Sequence, residues 1–144
     1  MPDKKTHYQI SAAAGAASAY LYACTQGQDL FKAIITAVGG YIGGASVASL
    51  ADRIDMPNSP HHRAIAHGAV PVALVLSQTW RPLLHLYNDL NKLADTFDKK
   101  DSLADTIMAM VCRITSGFSL GVLVGYPAHL VADAFTAEGL PLIC

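Results

Sequence analysis

The sequence runs to 144 residues, of which 52% are hydrophobic and only 15% charged, with a formal net charge of −1. That length suits one domain with one core, and the near-neutral balance excludes the basic footprint of a nucleic-acid-binding protein. A mean hydropathy of +0.32 is high for a chain that faces water.

Four windows, 8–28, 33–51, 64–80 and 114–132, contain no Asp, Glu, Lys or Arg. Each approaches the roughly 20 apolar residues that cross a bilayer, although Ala, Gly and Ser fill them more than Leu and Ile do. Alternation of polar and apolar residues is absent, and Ala-rich runs favour helix over strand. The expectation is an all-α, up-down four-helix bundle embedded in a membrane, in a single domain spanning 1–144. The alternative is a soluble bundle covered by a partner.

The first helix is predicted over 6–25. Lys4 and Lys5 ahead of an apolar run that ends at Leu21-Tyr22-Ala23-Cys24 imitate a secretory or lipoprotein leader. Tyr22 is bulky for a cleavage site, so the segment is read as a retained helix, stopping at Gln26-Gly27-Gln28. The second is predicted over 29–51, capped by Asp29. Ser59-Pro60 reads as the cap and first position of a third helix over 60–81, kinked or ended by Pro71 and Pro82. A mixed-charge stretch over 87–101 reads as a polar surface segment, and the fourth helix is predicted over 102–130, disturbed by Pro127. Cys24, Cys112 and Cys144 show no C-x-x-C spacing and cannot all pair, which argues against a disulfide framework.

Glycines recur at intervals of four: Gly39/Gly43 and Gly40/Gly44, then Gly117, Gly121 and Gly125. Such rows let helix backbones approach. They predict packing of the second helix on the fourth within the chain, in preference to a homo-oligomer built through the glycine-rich faces.

In an up-down topology the start of the first helix, the end of the second, the start of the third and the end of the fourth share one end of the bundle. Those places hold His7; Asp52 and Asp55; His61, His62, Arg63 and His67; and His129 and Asp133. Five of six histidines converge, His85 being the exception, whereas the far end carries no comparable cluster. His129 and Asp133, four apart, share a helical face and could bind one ion. Asp52 and Asp55 stand at a helix C-terminus, where carboxylates need a cationic partner. His62 and His67, five apart, do not chelate as an i, i+4 pair does. Either His62 sits at an irregular helix start, or one of the two acts from behind the ligands. Arg63 offers a bidentate fork for a phosphate or for the aspartates. No G-x-S-x-G, phosphate loop or dinucleotide fingerprint is present. Metal-activated water is therefore the economical chemistry, with Asp52, Asp55 or Asp133 as general base.

Two stretches, "LADRIDMPNSPHHRAIAHG" and "GYPAHLVADAFTAEGLPLI", resemble the signature blocks of the bacterial membrane-bound metal-dependent hydrolases. That family includes the LexA-binding, inner membrane-associated hydrolases. His7 fits the family's early histidine. The resemblance implies an inner (cytoplasmic) membrane protein whose metal site is built from Asp52, Asp55, His62, His67, His129 and Asp133. Ala51, His61, Gly68 and Pro127-Ala128 depart from the pattern without removing a ligand. The expected function is a divalent-metal-dependent hydrolase, with zinc as the metal, Asp52, Asp55 and Arg63 as catalytic residues and membrane lipids as partners. The alternative is a non-enzymatic helical membrane or assembly protein with a structural His/Asp cluster.

Overall fold

The computed structural model describes residues 4–54 and 69–134, and within them the protein is four helices with no strand. Helix α1, Lys4–Thr25, ends in a Schellman turn. Gly27 takes a φ of 75°, Gln28 donates its N–H to Ala23 (3.1 Å) and Gly27 donates to Cys24 (3.0 Å), which satisfies the orphan carbonyls of the last turn.

Helix α2, Leu30–Ile54, begins where the Asp29 carboxylate accepts the Lys32 N–H at 3.0 Å. That bond, with the Lys32 charge, holds the Asp29 carboxyl below its ordinary value of 3.8. A depressed folded value stabilises the fold above the ordinary value and loses that contribution as pH falls through the folded one. Asp29→Asn preserves the cap but not the charge. Thermal unfolding should therefore separate it from wild type at pH 7 and bring the two together near the acid limb; a difference that widens on acidification would refute this.

Helix α3 is Ala69–Phe97 and α4 is Leu103–Ala134. The expected start of α3 at Ser59-Pro60 lies outside the described residues. Its expected end at 81 is corrected, because the helix runs on through Pro82 to Phe97, about four further turns. Pro82 removes only the bond to the Gln78 carbonyl, and both residues are exposed, so water can take that oxygen. The 87–101 stretch is likewise not a separate surface segment. Tyr87, Asn91 and Ala94 are buried at helical spacing, and Asp89, Lys92 and Thr96 face outward. Ser102 caps α4 by accepting the Asp105 N–H at 3.0 Å.

Successive helices alternate in direction, yet the packing is not a square ring. α4 contacts all three other helices, α1 also packs on α2, and α3 approaches the backbone of α4 alone. α2 and α4 lie side by side and parallel: Gly117 meets Thr36, Gly121 meets Gly40 and Gly125 meets Gly44, in rising order along both helices. α1 crosses this pair antiparallel, with Gly15 against Gly40 and Gly121. The glycine rows are thus spent on contacts inside the chain, between α2 and α4 as expected.

The core they create is made of small side chains, among them Ala12, Ala19, Ala23, Ala33, Ala45 and Ala48, while large apolar residues point outward. Leu21, Leu30, Phe31, Leu74 and Leu103 are each more than 60% exposed. Water-soluble domains do the reverse, and an exposed apolar surface of this extent is the informative exception. Two helices, α2 over Leu30–Leu50 (mean hydropathy 1.5) and α4 over Leu103–Ala132 (1.8), are long and apolar enough to cross a membrane.

Candidate functional site

The best-defined part of the expected site is a histidine pair. His7 stands in the first turns of α1 and His129 near the end of α4, and both are buried (7% and 1% exposed). Their rings meet edge to face, with centroids 5.6 Å apart and planes at 73°. The register follows from the glycine contact. Gly15 faces Gly121 in an antiparallel pair, and about two turns outward along each helix stand His7 and His129. Two imidazoles so placed can supply two of the four ligands of a tetrahedral zinc.

The remaining expected ligands are placed less completely. Asp52 and Asp133 belong to the last turns of α2 and α4. These helices are parallel and in register at Gly44 and Gly125, so both positions fall about one turn beyond His129; their side chains are outside the described ones. Asp55, His61, His62, Arg63 and His67 lie outside the described residues altogether. Among the described residues no group of three or more His, Cys, Asp or Glu side chains is placed to hold a metal ion. His85 is exposed on α3, away from the pair.

The opposite end of the bundle has no comparable set of histidines among the described residues, but it draws its charged and amide side chains into a polar cluster that spacing along the chain does not announce. Arg113 of α4 is 2% exposed. Its Nη2 donates to Asp95 Oδ1 at 2.8 Å and to Asp98 Oδ2 at 2.6 Å. Asp98 also meets Lys32 Nζ at 2.9 Å, which ties the start of α2 to the end of α3. Beside them Gln28 donates to Asn91 at 2.9 Å, Asn91 donates to the Tyr87 carbonyl at 2.9 Å, and Thr36 donates to Gln28 at 3.4 Å. Tyr87 is 1% exposed and packs edge to face on Tyr22 at 5.0 Å. Burial, with Tyr22 alongside, pushes its phenol up to about 12. The side-chain amides of Asn91 and Gln28 lie near that phenol, but its oxygen lacks a partner with hydrogen-bond geometry.

The sequence does carry one signal for this cluster. Arg113 is the lone charge between Asp105 and Asp133 on an otherwise apolar helix, and an isolated charge in such a stretch marks a paired or functional position.

Comparison with known protein families, with characterised proteins and with solved structures finds no match to this chain. The two ends of the bundle must be interpreted from their own chemistry.

Proposed function

We propose that this chain is a membrane-embedded, divalent-metal-dependent hydrolase, of the kind its two motif blocks resemble, acting on a phosphoester or lipid-like substrate. The observation that carries the reading is the burial of His7 against His129, brought from opposite ends of the chain to one end of the bundle. The outward-facing large apolar side chains and the two long apolar helices support placement in a membrane, and the resemblance favours the bacterial inner membrane.

In this reading His7 and His129 supply two ligands to a zinc ion, and the remaining ones are drawn from Asp52, Asp55, His62, His67 and Asp133. When bound, such an ion supplies a water of lowered pKa, near 7, and polarises a carbonyl or phosphoryl group. Asp52 or Asp55, whichever is not ligating, accepts the proton, and Arg63 anchors an anionic substrate oxygen through its fork. The test is metal content in the purified, detergent-solubilised protein. Wild type should carry bound zinc, and His7→Ala and His129→Ala should each lower its affinity by at least about tenfold, one ligand's worth of binding. Equal occupancy in all three proteins removes the histidine pair from the site.

A second reading is favoured by the ring contact itself, which is a packing interaction that needs no ion. Here the chain is a non-enzymatic helical membrane or assembly protein, and the His/Asp residues pin helix ends. Under this reading His129→Phe keeps the thermal midpoint and the assembly state. Under the first it abolishes metal binding.

A further inference from the structure

Ser11 lies one helical turn inward of His7 on α1 and is fully buried. The other fully buried aliphatic hydroxyls of the described helices are tied to the backbone. Ser116 and Ser119 donate to carbonyls three residues back at 2.8 and 2.7 Å, and Thr36 donates to the Lys32 carbonyl at 2.9 Å. The matching acceptor for Ser11 is the carbonyl of His7, four residues back, which such a hydroxyl ordinarily takes in a helix. Ser11 Oγ does not take it and has no other hydrogen-bond partner.

Three backbones fix the place of this hydroxyl. A Cβ on Gly44 of α2 would strike the Ser11 carbonyl, and one on Gly125 of α4 would stand 2.5 Å from Gly44 Cα. Ser11, Gly44 and Gly125 therefore share a level where α1, α2 and α4 meet. His7 and His129 each stand four residues further out, about 6 Å along the axis. Every Cα–Cβ bond of a helix tilts toward its N-terminus. Because α1 and α4 run antiparallel, Ser11 leans outward to the histidine level and His129 leans inward to meet it. The i, i+4 spacing puts the Cβ atoms of His7 and Ser11 about 5–6 Å apart, and the two histidine rings are 5.6 Å apart. The hydroxyl thus stands on the inner side of the pair.

We propose that Ser11 is a positioning residue of the histidine site, its hydroxyl donating to a phosphoryl oxygen of a phosphoester substrate bound there. The inference rests on the hydrolase reading and narrows its substrate class. A phosphoryl group has enough oxygens to meet the ion, the Arg63 fork and this hydroxyl together, whereas the carbonyl of a carboxylic ester offers one. A hydrogen bond to a charged oxygen is among the strong ones, and more so in an interior that excludes water. For the fold alone the hydroxyl adds nothing that a methyl would not, in a core whose buried positions include Ala12, Ala19, Ala45 and Ala48.

The experiment compares full-length wild type and Ser11→Ala in detergent, first metal-free, then zinc-loaded and titrated with inorganic phosphate. The metal-free variant should unfold at or above the wild-type temperature, and its zinc occupancy should equal that of wild type. Phosphate should raise the thermal midpoint of zinc-loaded wild type in a saturable manner. Half-saturation should need about tenfold more phosphate in Ser11→Ala, the loss of one hydrogen bond. Equal phosphate responses in the two proteins, or no saturable response in zinc-loaded wild type, overturn the role of Ser11 and leave metal binding standing. A lower midpoint in metal-free Ser11→Ala also overturns it, because the hydroxyl then serves the fold. Wild type that binds no zinc overturns the hydrolase reading itself, and this inference with it.

Discussion

Gly117→Ala is expected to be among the most damaging single-methyl additions in this protein. The added Cβ would collide with the Thr36 carbonyl oxygen, with the Gly40 nitrogen 3.1 Å away. Both obstacles are backbone, so no rotamer change relieves them and α2 must move off α4. Overpacking of this kind costs about 3 kcal/mol. The mirror substitution, Gly39→Ala, meets the Ile114 carbonyl and should cost a similar amount. Gly27→Ala is the control. Its Cβ would meet nothing, but the residue would have to hold a φ of 75°, a left-handed conformation worth about 1 kcal/mol. Unfolding of the three variants in a mixed-micelle titration should rank Gly117→Ala and Gly39→Ala well below Gly27→Ala. The opposite order would mean that α2 and α4 are not in backbone contact.

The second large effect is an asymmetry across the Arg113 ion pairs. Replacing both acids, as Asp95→Asn/Asp98→Asn, leaves a 2%-exposed cation without a counter-charge. Uncompensated buried charge costs about 3–5 kcal/mol. Arg113→Met removes the cation instead. Asp95 then remains mostly hydrated and Asp98 keeps Lys32 at 2.9 Å, so the loss should be smaller, about 1–2 kcal/mol once screening is allowed for. Equilibrium unfolding of the two variants measures the difference directly. If Arg113→Met is the worse of the two, the arginine's packing matters more than its charge.

Much of the helical layout is legible in the sequence because its punctuation is local. Gly27 can hold the left-handed turn, Asp29 and Ser102 cap α2 and α4, and glycines four apart mark the α2–α4 contact. The length of α3 is hidden for a physical reason. Pro82 and the charges at Asp89, Lys92, Asp95 and Asp98 look like the end of a helix when counted along the chain. On a helix Pro82, Asp89 and Lys92 occupy the face opposite Tyr87, Asn91 and Ala94, while Asp95 and Asp98 turn back toward Arg113 of α4. Alternating helix direction brings His7 and His129 to the same end of the bundle, and the Gly15–Gly121 crossing sets them level. The Arg113 cluster is not legible in this way, since its members come from α2, α3, α4 and the α1–α2 turn, and no spacing rule relates four elements.

The unequal apolar lengths of α2 and α4 bear on how the chain would sit in a bilayer. The α2 stretch of 21 residues is about 32 Å long, close to a hydrocarbon core of about 30 Å, whereas the α4 stretch of 30 residues is about 45 Å. Tilting α4 enough to hide that excess would drag its parallel neighbour with it. In a bilayer the surplus would instead emerge at the α3–α4 turn, lifting Lys99 and Lys100 clear of the headgroups on a short stalk. Trypsin added to sealed vesicles would then cut there from one side only, and the side it cuts from reports which way the protein was inserted.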